Sequence, residues 1–403
     1  MTDPFFDIHR VGTLAADPDA PVVHDRPTSM RWARPPLDEL DTEHMILNVG
    51  PQHPSMHGVM RLMLAMDGEE IKASELIVGN LHRGIEKLSE HRRFDHVGAL
   101  LDRADYVSGV HQELAFAQAV EEIAGIEVPE RALWLRVLIG EIMRLTSHHT
   151  WFGPTGLDAG SMGGFLYIFR DREVLIDILE QITGSRMMPN SIRPGGVLND
   201  IDVQSVAMLR DYLKDARRLL EENVEMVLGM ELMQMRVKNV GVIDYETAKR
   251  FSFPGPNGRA SGIDRDLRRD RPYAAYDKVD FKVPVRTEGD VWARILIRIE
   301  EMFESLDIIE QVLDGIPEGP HMAKVPKILR PPVGEAYGAV EGPRGEIGMY
   351  VVTDGSDKPY RVRYRSPTLL ALQAGEAQIT GMLFADMVMH MASIDLVFGE
   401  VDR

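Results

Sequence analysis

Long segments with apolar residues at helical spacing constrain the fold of this chain more than any other feature. The first helix is predicted over 97–124 from the spacing of Val97, Leu100, Leu101, Ala104, Val107, Leu114 and Val120. A second helix is predicted to start near Pro129 and to run through 131–149, because proline is tolerated in a first turn. Further helical patterns cover 164–184, 201–230, 289–314 and 376–391.

Strand patterns flank these helices at both ends of the chain. Residues 45–50 and 58–78 are predicted to form short strands, with Asp67-Gly68 as a hairpin turn. Residues 346–366 contain two β-like runs around a turn with glycine. The predicted fold class is therefore α+β and mostly helical, a helix bundle flanked by small sheets from the N- and C-terminal parts.

Composition excludes several functions. The chain has no cysteine, so disulfides, thiolate metal sites, a thiol nucleophile and an iron–sulfur cluster on its own thiolates are excluded. A formal charge of -18 argues against nucleic acid as a partner. The sequence contains no run of about 18 apolar residues, which a membrane-spanning helix would need. We therefore expect any link to a membrane to come through partners.

The first 42 residues differ from the rest of the chain. Residues 1–42 mix Pro, Asp and Arg without apolar periodicity and contain no signal-peptide pattern. We expect them to form an N-terminal arm that is flexible or ordered on assembly. The domain proper is predicted to span 43–403.

Two histidines stand four residues apart in the motif "NVGPQHPSMHG", which begins at Asn48. A zinc pair at this spacing needs a helix, and Pro54 disfavours one. His53 is predicted to bond to the backbone and hold the turn. For His57 two interpretations stay open, the same structural role or a donor presented into a cavity and titrating near neutral pH.

Other polar residues fall within the helical patterns. Arg103 and Tyr106 share a face of the predicted first helix, where a tyrosine is most often a core residue with a satisfied hydroxyl. Arg83 belongs to the charged motif "NLHRGIEKL", which is typical of a solvated face.

The second predicted helix carries Glu141, Arg144 and His148, a pattern typical of an internal salt-bridge stripe. Beyond that helix, Asp158 is the one carboxylate in the glycine-rich stretch "WFGPTGLDAGSMGGF". That stretch matches neither the P-loop nor the dinucleotide pattern, so no nucleotide site is predicted there.

Seven motifs together resemble one known family. They are "NVGPQHPSMHGVMRL", "HRGIEKL", "ADYVS", "RVLIGEIMRLTSHH", "IRPGGV", "VEGPRGEIGMYVVTDGSDKPYRVRYRSP" and "DLVFGEVDR". In this order and spacing they are similar to the D subunit of respiratory complex I, the 49-kilodalton subunit of NADH:quinone oxidoreductase. The resemblance covers about Glu43 to Arg403.

That family in turn resembles the large subunit of nickel–iron hydrogenases, which hold their metal with two pairs of cysteines. This chain has no cysteine and cannot hold such a centre, which excludes a hydrogenase. The resemblance implies that the vacated cavity binds the quinone headgroup.

Site residues follow from the same resemblance. His57 and Tyr106 match the residues that hydrogen-bond the quinone, and Asp158 matches the carboxylate that orients the histidine. Arg83 and Arg103 match arginines near the terminal iron–sulfur cluster, which a neighbouring subunit holds. The implied catalytic set is therefore His57, Tyr106 and Asp158.

The resemblance also implies the setting. The activity is two-electron reduction of menaquinone or ubiquinone, coupled to proton translocation in an electron-transport chain that starts from NADH (NAD). The implied partners are the cluster-bearing B subunit, the C subunit, other peripheral-arm subunits and a membrane-arm subunit at the quinone channel entrance. Iron–sulfur cluster and FMN lie in partners, so this chain is inactive alone, binds no metal or flavin, and lies peripherally on the cytoplasmic side of the cell membrane.

Two departures leave alternatives open. Met188 stands where the family commonly has histidine, so we hypothesise a lower-potential cluster and a menaquinone-type acceptor. A strongly pH-dependent cluster potential in a redox titration would contradict that hypothesis. The stretch from Pro317 to Tyr337 is also shorter than in many relatives, as in complexes fed by ferredoxin or deazaflavin. The alternatives are the same role in such a relative, or a scaffold subunit without a redox site.

Overall fold

The computed structural model describes residues 45–52 and 58–403. Both histidines of the opening motif, His53 and His57, lie outside the described residues, and so does the arm predicted over 1–42. The division of the chain at residue 42 therefore stays a prediction.

The N-terminal sheet has three antiparallel strands in the order β1-β2-β3, with β1 Met45–Val49, β2 Arg61–Asp67 and β3 Glu70–Ile77. The predicted hairpin is present, but its two-residue turn is Gly68-Glu69, one position later than predicted, because Asp67 still belongs to β2 and pairs with Glu70. Leu62 and Leu64 on β2 are fully buried and pack with the helices near the C-terminus.

Fourteen α-helices and one short 3-10 helix, Tyr276–Lys278, are found among the described residues, and the long α-helices pack into the main core. Their bounds are α1 Ile85–Ser89, α2 Phe94–Leu101, α3 Gly109–Ala124, α4 Glu130–Asp158, α5 Met162–Thr183, α6 Val203–Leu228, α7 Glu231–Val237, α8 Tyr245–Arg250, α9 Gly255–Ala260, α10 Leu267–Asp270, α11 Val291–Gly315, α12 Pro367–Glu376, α13 Phe384–Ile394 and α14 Phe398–Asp402.

Helix α4 is the central element of the bundle. It is 29 residues long, which corresponds to about 44 Å of helix. Nearly every position between Ala132 and Gly156 is buried, because α5, α11 and neighbouring segments cover it. A helix buried on all sides has no polar face, so the charges it carries must pair inside the protein.

The remaining strands form a two-stranded ribbon and a C-terminal sheet. Their bounds are β4 Ile192–Arg193, β5 Gly196–Val197, β6 Gly334–Gly342, β7 Gly345–Thr353 and β8 Arg361–Arg365. The ribbon, β4 with β5, lies between α5 and α6 in the chain. The sheet has the order β6-β7-β8, antiparallel throughout, and covers α3, where Gly338 meets the backbone of Ala115 so closely that a Cβ would clash.

The prediction of an α+β, mostly helical fold with small flanking sheets is confirmed. The single helix predicted over 97–124 is wrong, because the chain turns between Asp102 and Ser108. Asp105 accepts hydrogen bonds there from the Val107 amide, at 3.3 Å, and from the Ser108 hydroxyl. An aspartate that bonds to the next turn of backbone competes with the helix, so α2 ends here and α3 begins anew.

Two further predictions need correction. The glycine-rich stretch is predicted to lie beyond the second helix, but its first half, up to Asp158, belongs to α4, and Met162 already begins α5. The glycines of α4 allow close packing of helices: a Cβ on Gly153 would lie 2.7 Å from the Phe169 ring, and one on Gly156 would lie 3.3 Å from Val227. The helix predicted over 376–391 is interrupted between α12 and α13.

Candidate functional site

Tyr106 lies in the turn between α2 and α3 and is half-buried, so it does not share a helix face with Arg103 as predicted. Burial, and then the nearby Asp105, raise the pKa of the Tyr106 hydroxyl. The hydroxyl therefore keeps its proton at neutral pH and can donate it in a hydrogen bond.

A cavity of about 10 Å³ lies beside Tyr106, which is room for about one water molecule. Its walls come from the Tyr106 turn, from α4 and α5, and from the segment that follows α5. The lining residues are Tyr106, Val107, Met143, Thr146, Thr150, Arg172, Arg186 and Met187.

A buried ionic cluster holds the Tyr106 turn from below. Arg344 Nη1 lies 2.8 Å from Asp105 Oδ2, and its Nη2 lies 3.2 Å both from Asp395 Oδ1 and from Ser147 Oγ. Burial opposes the charge of Arg344, yet Asp105 and Asp395 hold its pKa above the usual range. The turn is therefore fixed to α4 and to the segment after α13.

Two arginines meet at the outer side of the turn. The Arg83 guanidinium donates to the carbonyl of Arg103, and Arg103 Nη1 donates to the carbonyl of Ala99 at 2.6 Å. Both side chains are exposed, so they give this surface a positive charge. The solvated-face interpretation of Arg83 agrees with this exposure.

The last described helix, α14, joins the N-terminal part to the Tyr106 turn. The Asp402 carboxylate accepts from the amides of Gly79, at 2.8 Å, and Leu81, at 2.7 Å. Gly399 lies so close to the Ala104 carbonyl that a Cβ there would clash. Helix α14 is thus packed between the two segments.

Gly58, the first described residue after His57, packs against the same helix. A Cβ on Gly58 would clash with the Phe398 ring, so the backbone approaches the start of α14 closely. Gly399 would in turn place a Cβ 3.2 Å from Arg83 Nη2. The described end of the histidine motif and the Tyr106 turn therefore contact the same helix, although His57 itself lies outside the described residues.

Asp158 is the last residue of α4 and is half-buried. Its carbonyl accepts a hydrogen bond from Arg236 Nη1 at 2.6 Å. Thr150, which lines the Tyr106 cavity, lies eight positions earlier on the same helix, a rise of about 12 Å. Asp158 therefore lies on the same helix as one wall of the Tyr106 cavity.

Glu400 is a buried carboxyl that the sequence motifs did not single out. It accepts from the Tyr364 hydroxyl at 2.6 Å and from the Thr368 amide at 3.0 Å. Burial, and then the charge of Asp105, raise its pKa to about 7. A glutamate between apolar residues in "DLVFGEVDR" was the signal available in the sequence.

The stripe on α4 is buried, and Glu141 and Arg144 form an internal salt bridge as predicted, whereas His148 makes a hydrogen bond. Arg144 Nε lies 3.1 Å from Glu141 Oε1, and His148 Nε2 lies 3.2 Å from Glu301 Oε2 on α11. Although burial opposes ionisation, Arg144 and Arg268 lower the pKa of Glu141 to about 2. Burial lowers the pKa of His148, which favours its neutral form.

Over residues 45–52 and 58–403, no group of three or more His, Cys, Asp or Glu side chains is arranged to hold a metal ion. Within the same ranges, no helix has the length and apolar character needed to cross a membrane.

Comparison with known proteins defines the class. A sequence profile described as the respiratory-chain NADH dehydrogenase 49 Kd subunit matches residues 158–333 and 323–403. A solved chain from the membrane-bound sulfane sulfur reductase, an archaeal respiratory membrane complex, superposes with a TM-score of 0.87 at 35% identity, over 90% of this chain and 100% of that one. The fold is thus that of a subunit of a multi-subunit respiratory complex.

Curated relatives match this chain over nearly their full length. The D subunit of NADH-quinone oxidoreductase from Clostridium beijerinckii is 46% identical over 91% of this chain and 99% of its own. The D subunit from Carboxydothermus hydrogenoformans is 44% identical over 90% of this chain and 100% of its own. The chain belongs to the family of the 49-kilodalton subunit of respiratory-chain NADH dehydrogenase, that is, the D subunit of complex I.

Proposed function

We propose that this chain supplies the quinone-headgroup site of a complex I-type NADH:quinone oxidoreductase. In this proposal His57 and Tyr106 hydrogen-bond the quinone oxygens, and Asp158 orients His57. The observation that carries the proposal is the half-buried Tyr106, whose protonated hydroxyl is held beside a cavity on an anchored turn. The cavity is too small for a quinone ring, so the headgroup would occupy the open side of Tyr106, against a partner subunit.

The chemistry required of this chain is donation to oxygen. As electrons reach the quinone, negative charge develops on its oxygens, and a positioned O–H or N–H donor stabilises that charge. The raised pKa of Tyr106 keeps its donor proton available. Asp158 would hold the His57 ring in the donating orientation.

Rigidity of the turn supports this role. A hydrogen-bond donor stabilises developing charge best when it needs no reorganisation during the reaction. Arg344 bonds Asp105, the residue before Tyr106, and so ties the turn to α4.

The exposed Arg83 and Arg103 indicate where the electron donor would lie relative to this chain. Two guanidinium groups beside the turn favour a neighbouring group that takes up negative charge. We propose that the terminal iron–sulfur cluster, held by the cluster-bearing B subunit, lies against this surface. Electrons would then reach the quinone over a short distance.

The wider setting is part of the same proposal. Two-electron reduction of the quinone is coupled to proton translocation, with FMN and the clusters in partner subunits and this chain inactive alone. Partners include the C subunit and a membrane-arm subunit at the quinone channel entrance, with the chain peripheral on the cytoplasmic side. Met188 in place of histidine favours menaquinone as the acceptor.

A second candidate concerns the donor and acceptor. The solved relative belongs to a complex named a sulfane sulfur reductase, so a chain of this fold occurs in a complex that is not named for quinone. The alternative in which the chain has the same role in a relative fed by ferredoxin or deazaflavin therefore stays open beside the leading proposal.

The test is Tyr106→Phe in membranes that carry the assembled complex, with Tyr167→Phe, an exposed tyrosine on α5, as matched control. We expect Tyr106→Phe to abolish most NADH-driven quinone reduction while NADH:ferricyanide activity is retained, because only the donor hydroxyl is lost. Unchanged quinone reduction would favour a scaffold subunit without a redox site. Wild-type membranes that do not oxidise NADH would point to a different donor.

A further inference from the structure

Two buried carboxyls face each other next to the Tyr106 turn. Asp102 ends α2 and is fully buried, and Glu113 on α3 is 1% exposed. Each accepts a backbone amide from the segment that leads into β4: Asn190 N lies 2.7 Å from Asp102 Oδ2, and the amide of Ile192, the first residue of β4, lies 2.6 Å from Glu113 Oε2. The two carboxyls therefore hold one segment together.

The remaining oxygens indicate a shared proton. Asp102 Oδ1 and Glu113 Oε1 are buried and have no donor among the residues that the structure describes. Burial raises the pKa of both carboxyls, and the charge of Asp102 raises that of Glu113 further. The two side chains are within hydrogen-bonding contact of each other, and a proton shared between them would satisfy both oxygens and avoid two buried like charges.

Small residues make room for the pair. A Cβ on Gly109, the first residue of α3, would lie 3.0 Å from Asp102 Cγ. One on Gly98 would lie 3.1 Å from Asn190 Oδ1 and 4.0 Å from Glu113 Cγ. The carboxyls and the segment they hold are thus in tight contact with α2 and α3.

Other titratable groups around the pair are engaged elsewhere or act weakly. Arg103, next in the chain, opposes the rise in the pKa of Asp102. His111 on α3 lies near Gly140 on α4, and Arg193 on β4 follows the held segment. The acids on the strands and the helix packed against α3 pair as Glu335 with Tyr350, Glu346 with Tyr337, Glu341 with Arg259, and Glu141 with Arg144.

The held segment forms a wall of the Tyr106 cavity. Arg186 and Met187 line that cavity, and Met188 and Asn190 have left-handed backbone angles, with φ of +52° and +47°. Such angles are unfavourable for residues other than glycine and persist only when neighbouring contacts enforce them. The amide bond from Asn190 to Asp102 is one of those contacts.

We infer that Asp102 and Glu113 are positioning residues that share one proton and thereby hold the cavity wall of residues 186–191 beside Tyr106. The inference that this wall borders a quinone pocket rests on the proposed function. The inference that Asp102 and Glu113 keep residues 186–191 in place does not. Loss of the proton leaves two buried carboxylates that repel each other, and the wall moves away from Tyr106.

Glu113→Gln tests the role of the proton. The glutamine oxygen can accept from the Ile192 amide while its NH2 group donates to Asp102, so the variant keeps the wall in place and needs no proton. Glu113→Leu removes both bonds. Glu122→Gln, on the exposed face of the same helix, is the matched control.

The measurement is hydrogen–deuterium exchange of the 186–192 segment in the purified complex, from mildly acidic to alkaline pH, relative to intrinsic exchange rates. We expect wild type and Glu122→Gln to exchange roughly tenfold faster at alkaline pH because the segment opens locally. Glu113→Gln should stay slow at every pH, and Glu113→Leu should be fast at every pH.

Three outcomes would overturn the inference. They are equal acceleration in wild type and Glu113→Gln, no acceleration in wild type, and slow exchange in Glu113→Leu. Hydrogen–deuterium exchange of this segment does not depend on quinone. The result of the Tyr106→Phe experiment, whichever way it falls, therefore does not affect the test of Asp102 and Glu113. In activity, we expect quinone reduction by wild type to decline at alkaline pH and quinone reduction by Glu113→Gln not to decline, a difference that a purely structural glutamate would not produce.

Discussion

Two polar regions lie along α4, and they differ in how their charges are paired. In the core, Arg259 Nη2 lies 2.5 Å from Glu301 Oε1 and its Nη1 lies 2.9 Å from Glu341 Oε1, with all three side chains buried. At the Tyr106 turn, buried pairs anchor the backbone, but Tyr106 is half-buried and Arg103 is exposed.

The difference separates stability from function. A buried charge that loses its partner is costly, so the core network can keep its geometry but can offer nothing to a ligand. At the turn, the hydrogen-bond donors of Tyr106 and Arg103 reach the surface, while buried ion pairs hold the backbone of the turn in place. We therefore expect core variants to prevent assembly, and turn variants to leave assembly intact and change activity.

Arg259→Met should have the largest effect of the variants considered. It leaves Glu301 and Glu341 buried without their cation, which costs about 3–5 kcal/mol when one partner of a buried pair is removed. We expect little assembled complex in membranes and thermal inactivation at a much lower temperature.

The matched control is Arg218→Met on α6, where Arg218 pairs with Asp215 and Glu222 on the exposed face. Exposed pairs contribute about 0–1 kcal/mol, so assembly should be unchanged. Equal effects of the two arginine variants would contradict the distinction between core and surface charges.

Glu400→Gln should change how stability depends on pH. The pKa of Glu400 is about 7 in the folded protein against 4.5 for an ordinary glutamate, so the folded state binds the proton more tightly. Wild-type stability is therefore lost as pH rises from about 4.5 to about 7, by up to about 3 kcal/mol.

Glutamine removes this loss, so the stability of Glu400→Gln relative to wild type should rise across that pH range and level off above it. Thermal inactivation of the complex at a series of pH values measures the difference. A difference that is constant with pH would show that Glu400 does not hold a proton in the folded state.

Gly399→Ala should have the smallest of these effects, and it probes the contact between α14 and the Tyr106 turn. The added methyl group meets the Ala104 carbonyl and lies 3.2 Å from Arg83 Nη2, so the turn has to shift, at about 1–3 kcal/mol. We expect assembled complex with reduced quinone reduction and normal NADH:ferricyanide activity.

Gly163→Ala on α5 is the control, because its nearest contact would be Met226 Sδ at 3.9 Å. A helical glycine is less favourable than alanine by about 1 kcal/mol, so this variant should be fully active and slightly more stable. Normal quinone reduction in Gly399→Ala would show that the contact between α14 and the Tyr106 turn does not affect the site.

Apolar periodicity predicted the long helices well, because core helices follow their apolar spacing. It failed at 97–124, where the apolar spacing continues across a turn. The Asp105 carboxylate fixes that turn by accepting hydrogen bonds from the Val107 amide and from Arg344. The predicted end of the second helix is also too early, because the glycines before Asp158 lie within α4 and serve close packing of helices.

The site could be predicted only in part. Motifs gave Tyr106, Arg83 and Arg103, which the structure places around one turn. Asp102 and Glu113 could not be found in this way, because eleven positions of chain separate them and only the fold makes them face each other. The placement of His57 relative to Tyr106 stays a prediction.

The bonds of Asp402 to the amides of Gly79 and Leu81 have a consequence for biosynthesis. These partners are 323 and 321 positions apart, so the earlier segment leaves the ribosome long before its partner is made. Contacts of such sequence separation close late in folding. Helix α14 therefore packs against the Tyr106 turn in one of the last steps of folding. A nascent chain that already contains Tyr106 but not α14 does not yet have this site.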